Sequence, residues 1–366
     1  MTTHTLRVAR VENPTANSKA IYFEPNSLPA AFAGQFLTLI VRPNDKELRR
    51  AYSLFTTPEE GLAIGVKRVP GGIVSNYLNT YARAGMEIQV AGPSGNFTYR
   101  PEKNTGAKHL ILVGGGSGIT PLMAILKTAL AQQHVEHITL LYANTCEQEI
   151  MFAHELNTLA EANREKFTLI HYLNSENTQQ IKQRQKGLLG WLGKTTSYTT
   201  AGFLTQEKAL EILKQHNIAV SNTQQPSTYA YLCGPGGFMT LAEQALLNIG
   251  VASTNIKKEN FVASAPSNPT PNFTPPNCEA RVKIAGDYKR FTVPSGKNIL
   301  QAAIDANIDW PFSCREGSCT ACYSRCTSGQ VHLLSDSALS NQELAEGGVL
   351  PCVGFPKSKK LELVID

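Results

Sequence analysis

The cysteines of this 366-residue chain restrict its possible folds more than any other feature. Three of the eight stand alone, and five crowd the C-terminal end: Cys146, Cys233 and Cys278, then Cys314, Cys319, Cys322, Cys326 and Cys352. In a reducing compartment, clustered thiols bind metal more often than they form disulfides. A metal-binding loop also fixes the backbone around it, so we expect a compact module built around these residues.

The spacing of four of these cysteines indicates which metal centre they hold. Four residues separate Cys314 from Cys319, two separate Cys319 from Cys322, and 29 separate Cys322 from Cys352. This is the spacing of the thiolates that hold a plant-type [2Fe–2S] cluster. In SCREGSCTAC, Gly317 and its small neighbours can turn backbone N–H groups towards the inorganic sulfides. A zinc ribbon is the alternative, but it would show paired CxxC knuckles.

The residues around this loop predict a small, β-rich module. CEARVKI and KRFTVPSG are typical of a hairpin, and ILQAAIDAN is typical of a helix. Residues 278–366 therefore resemble the β-grasp fold of ferredoxins over essentially their full length. Cys326 lies outside the ligand pattern and is interpreted as a packed structural cysteine. The module holds ten Lys+Arg and ten Asp+Glu, so the net charge of +5 belongs to the residues upstream.

Changes of pattern along the chain predict a multidomain protein. A linker, SAPSNPTPNFTPPN at residues 264–277, is rich in Pro and has too little apolar content to build an element. Residues 1–103 contain short alternating segments such as TLRVARV and QFLTLIV, which favour an antiparallel β-barrel. In residues 104–263, strands such as HLILVGGG and HITLLYAN alternate with helical segments, which predicts an α/β domain with a parallel sheet. Residues 174–205 stay unassigned, and their GLLGWLG stretch is either a packed loop or a docking surface.

Two motifs about 20 residues apart lie in the predicted barrel, RAYSL from Arg50 and GGIVSNYL from Gly71. They resemble the two flavin motifs of the ferredoxin–NADP reductase superfamily. Arg50 can neutralise a diphosphate, and the turn before the second motif's helix can present N–H groups to the same diphosphate. The resemblance implies that Tyr52 faces the isoalloxazine and that Ser53 hydrogen-bonds flavin N5. The predicted flavin-binding residues are Arg50, Tyr52, Ser53, Leu54, Gly72, Val74 and Ser75.

Two glycine-rich turns, GGGSGITP and CGPGGFM, follow strands of the predicted parallel sheet and therefore lie at its carboxyl edge. The pair resembles the pyridine-nucleotide module of the same superfamily, in which Thr120 and Cys233 would lie close to the nicotinamide. Cys233 could instead only pack at the end of its strand. The predicted nucleotide-binding residues are Gly114, Gly116, Gly118, Thr120, Pro121, Cys233, Gly234 and Pro235.

The segment KENF ends the predicted α/β domain and resembles the acid-x-aromatic element that lies beside the flavin in this superfamily. Glu259 and Phe261 match its two positions. The family often has Tyr where this chain has Phe261, which keeps the aromatic stacking but removes a hydroxyl. The resemblance implies that Ser53, Cys233 and Glu259 are the catalytic residues.

The order of the modules resembles the reductase components of multicomponent oxygenases, most closely the reductase subunit of the phenylacetyl-CoA epoxidase system. The resemblance implies that electrons pass from NADH or NADPH through FAD, or FMN as the alternative, and the [2Fe–2S] cluster to a terminal oxygenase. A nicotinamide releases two electrons as hydride and the cluster accepts one, so a flavin must stand between them. A desaturase, a cytochrome P450 or a hybrid-cluster protein is an alternative acceptor. A redox-sensing regulator is the alternative of another class, but it would need an output domain.

The segment YANTCEQEIMF after the second α/β strand favours NADH over NADPH. Enzymes selective for NADPH usually place an Arg there to pair with the 2′-phosphate, whereas this chain has Asn144 and Thr145. The segment resembles that of NADH-using cytochrome b5 reductases. Arg164 or Lys166 could still supply the missing charge.

The composition excludes several other classes of protein. No run approaches the roughly 18 apolar residues of a membrane helix, so we expect no membrane span. No basic run interleaved with aromatic residues occurs, so nucleic acid is not an expected partner. The first residues, MTTHTLRVAR, lack the features of a secretion signal, and we expect a cytoplasmic protein.

Overall fold

The computed structural model of the chain describes residues 3–103, 106–174, 196–200, 204–215, 228–261, 273–336 and 338–365. These residues form three units, the first two each built on a six-stranded sheet and the third on a five-stranded and a two-stranded sheet. Residues 264–272 of the predicted linker and the GLLGWLG stretch lie outside the described residues. The boundaries at residues 103, 263 and 277 stay predictions. None of the described helices is long and apolar enough to cross a membrane.

The first unit is a curled antiparallel sheet, as the alternating segments predict. Its strands and one helix are β1 (His4–Thr15), β2 (Ser18–Phe23), β3 (Phe36–Val41), β4 (Leu48–Ser53), β5 (Ala63–Lys67), α1 (Ile73–Tyr81) and β6 (Glu87–Ser94). The strand order is β4-β3-β6-β1-β2-β5. An isolated bridge between Leu54 and Ile64 joins the two ends of the sheet and closes it into a barrel.

The second unit is a parallel sheet with helices, which confirms the predicted α/β fold. Its elements are β7 (His109–Gly115), α2 (Ile119–Leu130), β8 (His137–Asn144), α3 (Ala153–Ala162), β9 (Phe167–Leu173), β10 (Thr196–Thr200), α4 (Gln206–Gln215), β11 (Thr228–Cys233), α5 (Gly236–Asn248) and β12 (Ile256–Glu259). The strand order is β10-β9-β8-β7-β11-β12. The order reverses at β7, and ligands bind such sheets at the carboxyl edge of this point.

The third unit contains the clustered cysteines. Its elements are β13 (Cys278–Ile284), β14 (Asp287–Val293), α6 (Ile299–Asp305), β15 (Ser324–Ser328), β16 (Val331–Leu333), α7 (Asn341–Ala345), β17 (Gly348–Val349), β18 (Gly354–Pro356) and β19 (Lys360–Val364). The first two strands form the predicted hairpin, and β13 also pairs in parallel with β19. Helix α6 buries Ile299, Leu300 and Ala303 against this sheet. Cys326 is half-buried on β15, outside the group of four.

The barrel and the α/β unit share a hydrophobic core and each has a further core of its own, whereas the third unit packs around a separate core. Phe55, just after β4, packs against Phe152 before α3 with 4.6 Å between ring centroids. Tyr231 on β11 donates a hydrogen bond of 3.1 Å to the Thr98 carbonyl beyond the barrel. Each of these contacts joins two units that are separate in sequence. The first two units therefore form a single packed body.

We expect two unfolding transitions, one for the barrel with the α/β unit and one for the cysteine-rich unit. Phe55→Ala should lower the first transition alone, because it removes a buried ring from the shared core at a cost of about 3–5 kcal/mol. Leu363→Ala, which empties a fully buried site in the other core, should lower the second alone. Calorimetry of both variants checks this, and a single transition that both substitutions lower would contradict it.

Candidate functional site

The four cysteines of the predicted cluster converge in the structure. Hydrogen bonds from the Cys319 and Cys352 thiols lower the pKa of Cys314, and hydrogen bonds with Cys314 and Cys322 raise the pKa of Cys352. The indole of the buried Trp310 donates to the Cys322 carbonyl at 3.3 Å and ties the loop to the core. No group of three or more ligand side chains among the described residues is arranged around a single ion. A [2Fe–2S] cluster is wider, since it divides four thiolates between two irons.

The cluster loop also offers the polar groups that a sulfide cluster needs. The backbone N–H of Glu316 donates to Cys314 Sγ at 3.4 Å. Arg315, Gly317 and Thr320 all have positive φ, and such turns point successive N–H groups towards an anionic centre. The hydroxyls of Ser313 and Thr320 are buried with no hydrogen-bond partner in the described part of the chain. These unsatisfied donors and the four thiols fit an iron–sulfur cluster.

The three predicted catalytic residues come together at the carboxyl edge of the parallel sheet. Cys233 ends β11 and lies level with Gly114 of β7 and Glu259 of β12. Ser53 Oγ, at the end of β4 in the barrel, lies 3.4 Å from Glu259 Oε2. Ser53, Cys233 and Glu259 are all buried. The barrel and the parallel sheet therefore meet at this group.

Burial sets the protonation of this group. It raises the pKa of Glu259 to about 8, against a smaller lowering by the Ser53 hydrogen bond. Burial, followed by the nearby Glu259 carboxyl, raises the pKa of the Cys233 thiol. At neutral pH both side chains carry their protons. The site therefore holds a hydroxyl, a thiol and a carboxylic acid, with no negative charge on any of them.

The predicted flavin residues divide into side chains that can reach a cofactor and side chains that cannot. Arg50 and Tyr52 are half-buried on β4, whereas Leu54 and Val74 are 2% and 3% exposed in the barrel core. Leu54 and Val74 can therefore contact a cofactor only through their backbone. Ser75 Oγ donates to the Gly72 carbonyl at 3.3 Å and closes the turn that begins α1. The first N–H groups of such a helix have no partner within it and suit a diphosphate.

The two glycine turns touch each other. A Cβ on Gly118 would lie 2.0 Å from the Cys233 carbonyl oxygen, and one on Gly115 would lie 2.8 Å from Pro235 Cδ. Gly116 has φ +55°. The two turns can therefore approach this closely only because Gly115 and Gly118 have no side chain.

A cavity of about 630 Å³ opens at these turns. Gly116, Gly118, Gly234 and Pro235, all predicted from the sequence, line it. Thr120 lies elsewhere: its hydroxyl donates to the Ser117 carbonyl at 2.9 Å, and a Cβ on Gly65 of the barrel would lie 2.4 Å from its methyl group. The volume and the glycine lining fit a pyridine nucleotide.

The charges around this cavity bear on which nucleotide it takes. Thr145 and Asn144 line it, as the sequence predicts. Lys67, from β5 of the barrel, also lines it and forms an ion pair of 2.9 Å with Glu149. Arg164 and Lys166 precede β9 and lie at the amino edge of the sheet, away from the cavity. Sequence reasoning missed Lys67 because nothing local indicates that the end of a barrel strand reaches the other domain.

A second cavity, of about 100 Å³, lies between the barrel and the cluster loop. Arg50 and Ser53 line it from the barrel, and Cys314 and Cys319 line it from the cluster loop. Phe261 lines both this cavity and the nucleotide cavity, and the residue is 39% exposed. An exposed aromatic face between a nucleotide site and a metal loop fits a stacked flavin ring.

The raised pKa of Glu259 makes stability depend on pH. A carboxyl whose folded pKa is about 8, against an ordinary value of 4.5, binds its proton more tightly in the folded state. Unfolding therefore becomes easier as the pH rises from about 4.5 to about 8. Glu259→Gln should lose this dependence, while Glu279→Gln, an exposed carboxyl, should keep it. Thermal unfolding between pH 5 and pH 9 measures this, and parallel curves for all three proteins would contradict it.

Models of three protein families match the chain in the order of its three units. The oxidoreductase FAD-binding domain matches residues 20–99, and the oxidoreductase NAD-binding domain matches residues 112–244. The 2Fe-2S iron-sulfur cluster binding domain matches residues 282–357. The chain therefore carries sites for FAD, a pyridine nucleotide and a [2Fe–2S] cluster.

Relatives with the same three units extend along the whole chain. The ferredoxin reductase component of 3-ketosteroid-9-alpha-monooxygenase from Mycolicibacterium smegmatis is 34% identical over 99% of this chain and 96% of its own. A component of 1,2-phenylacetyl-CoA epoxidase from Escherichia coli is 29% identical over 100% of this chain and 98% of its own. The solved phthalate dioxygenase reductase has the same fold, with a TM-score of 0.57 and 22% identity over 99% and 98%. The chain therefore belongs to the family of ferredoxin reductase components of oxygenase systems, which are NAD(P)H oxidoreductases.

Proposed function

We propose that this protein oxidises NADH at its flavin, passes the electrons singly to its own cluster, and delivers them to a separate terminal oxygenase. One observation carries the proposal. Ser53 and Glu259 lie 3.4 Å apart at a cavity that Cys314 and Cys319 also line. A group bound there lies beside both the nucleotide cavity and the cluster loop.

Each residue near the flavin site has a separate role in this electron path. The flavin supplies the change from a two-electron to a one-electron carrier. Phe261 can cover the flavin ring and yield to a nicotinamide, because its ring is exposed towards both cavities. The Ser53 hydroxyl donates to Glu259 Oε2 in the structure. With FAD bound it would turn to the reacting flavin nitrogen, and the protonated Glu259 could then donate to Ser53 Oγ. The thiol of Cys233 packs behind them without adding negative charge.

The preference for NADH rests on charge. Lys67 is the cation in the described lining of the nucleotide cavity, and Glu149 neutralises it. Arg164 and Lys166, the bases that could have paired with a 2′-phosphate, precede β9 at the far edge of the sheet. The 2′-phosphate of NADPH would therefore find no unpaired cation among the described lining residues.

We expect kcat/KM to be about tenfold or more higher with NADH than with NADPH, because a missing charge-assisted hydrogen bond costs about 1.5–3 kcal/mol. Thr145→Arg should narrow this ratio by supplying a guanidinium at the cavity wall. Thr145→Gln is the matched control, since it adds length without charge. Steady-state kinetics with both nucleotides tests the idea, and an equal or higher kcat/KM with NADPH for the natural protein would remove it.

The acceptor we propose is the terminal oxygenase of a multicomponent system in the cytoplasm. Relatives named for a steroid monooxygenase and for phenylacetyl-CoA epoxidase both align with the whole chain, at 34% and 29% identity. The second supports the epoxidase resemblance predicted from the sequence, and the first makes a steroid-type oxygenase an equal candidate. None of the eight cysteines is in a disulfide in the structure, and four of them are the proposed cluster ligands, which suits a reducing compartment.

The proposed path predicts that a mutation can abolish electron transfer through the cluster while reduction of the flavin by NADH continues. Cys352→Ser removes one cluster ligand, while the barrel and the α/β unit keep their own shared core. Reduction of ferricyanide by NADH should survive, since ferricyanide takes electrons from the flavin. Transfer to cytochrome c and to either oxygenase should largely disappear. Cys326→Ser, outside the group of four, is the matched control and should behave as the natural protein does.

A second variant, Ser53→Ala, tests the flavin step of the path and leaves the cluster ligands unchanged. Ser53→Ala should keep flavin and cluster but lower every NADH-dependent activity together, by about 100-fold, because the reacting nitrogen loses its hydrogen-bond partner. If Cys352→Ser instead kept full activity towards the oxygenase, electrons would leave from the flavin and the proposed path would be wrong.

A further inference from the structure

Two adjacent arginines of the barrel contact the cluster loop. The Arg49 guanidinium lies 4.7 Å from the ring centroid of Phe312, and Arg50 Nη2 lies 3.7 Å from Glu316 Oε1. Phe312 and Glu316 stand two residues before and two residues after Cys314. The arginines therefore hold the loop on both sides of its first cluster ligand.

The contacts are preorganised within each unit. Arg49 is held on the barrel by an ion pair of 3.0 Å with Glu47. Arg50 Nη1 donates to the Arg49 carbonyl at 2.8 Å. On the other side, the Arg315 guanidinium lies 4.4 Å from the Phe312 ring centroid and supports it. Contacts within each unit therefore help to hold Arg49, Arg50 and Phe312 in the positions in which they meet.

The contacts between the cysteine-rich unit and the other two are mainly polar. Besides the arginines, Asn96 Nδ2 donates to Glu343 Oε1 at 3.3 Å. A cavity of about 180 Å³, which Lys257, Lys258 and Glu346 help to line, separates the units nearby. Among the described residues, the buried apolar side chains of the cysteine-rich unit form a core separate from the cores of the other two units. Each polar contact of this kind contributes little free energy to the association of the units, and it breaks and re-forms readily.

Strand β4 links these contacts to the flavin site. It carries Arg49 and Arg50 near its middle and Ser53 at its end, so one rigid strand sets the position of the cluster loop relative to the flavin nitrogen. Arg50 has five N–H donors, and a diphosphate and Glu316 can therefore engage different donors of the same side chain. The same arginine can therefore contact both the cofactor and the cluster loop.

We propose that Arg49, Arg50, Phe312 and Glu316 form a docking clamp that sets the rate at which electrons pass from the flavin to the cluster. The proposal rests on the function proposed above. Hydride from NADH reduces FAD to FADH⁻. Two electrons then leave for the cluster one at a time, one proton goes to solvent, and the external acceptor reoxidises the cluster after each transfer. The clamp changes none of these bonds. It changes only the fraction of molecules in which the cysteine-rich unit is docked on the barrel.

The test uses the full chain loaded with FAD and cluster, in which NADH reduction of the flavin and then of the cluster is followed by anaerobic stopped-flow absorbance. The variants are Glu316→Gln, Glu316→Lys and Arg49→Gln. The matched controls are Glu279→Gln and Arg83→Gln, which change exposed residues of the same two units. Midpoint potentials of both centres are measured for each protein.

We expect flavin reduction to keep its rate in all variants. Cluster reduction should slow about threefold in Glu316→Gln and Arg49→Gln, and about tenfold in Glu316→Lys, where a like charge faces Arg50. Salt should slow the natural protein but not Glu316→Gln, since salt screens exposed ion pairs. Hydrogen exchange at residues 312–319 should rise in the variants. A charge change two residues from Cys314 also acts on the cluster potential, so the measured potentials are used to correct each rate for driving force, and the loss of rate that is left reports docking.

Two results would count against different claims. If NADH failed to reduce the cluster of the natural protein at all, the proposed function would fall, and the clamp with it. If the natural protein transferred electrons but Glu316→Lys did so at the same rate, with the same salt response and the same exchange at residues 312–319, only the clamp would be overturned.

Discussion

The close approach of two backbone turns is the constraint on which the rest of the structure depends. A Cβ on Gly118 would lie 2.0 Å from the Cys233 carbonyl oxygen, so the turn after β7 and the turn after β11 can meet only because this residue has no side chain. The nucleotide cavity opens where these turns meet, and the parallel pairing of β11 with β12 sets Cys233 level with Glu259. The barrel then adds Ser53 from β4, which completes the proposed reaction site.

Two kinds of attachment between units match two kinds of electron transfer. Hydride moves between atoms in contact, which demands a fixed geometry. The barrel and the α/β unit supply it through a shared apolar core that includes Phe55 and Phe152. Single electrons need no bond to form, and a reversible contact is sufficient. The cysteine-rich unit accordingly has a separate core and meets the barrel through arginines, an aromatic ring and a carboxylate.

Charge is kept low where hydride moves and high where the units dock. Glu259 and Cys233 hold their protons because burial disfavours their charged forms. The cation that lines the nucleotide cavity, Lys67, is neutralised by Glu149. In contrast, Arg50 and Glu316 are about half-exposed, and their attraction is open to screening by salt. Strand β4 therefore carries both a residue of the proposed reaction site, which is buried, and residues of the proposed docking clamp, which are exposed to salt.

The sequence by itself determined the three modules, their order, the four cluster cysteines and the two glycine turns, because each of these depends on residue spacing within a short segment. It also indicated Ser53, Cys233 and Glu259 by resemblance. Only the tertiary structure decided that Leu54 and Val74 turn their side chains into the barrel core and that Lys67 reaches the nucleotide cavity. It alone showed that Arg49 meets Phe312. These facts depend on contacts between distant segments, which no local pattern encodes.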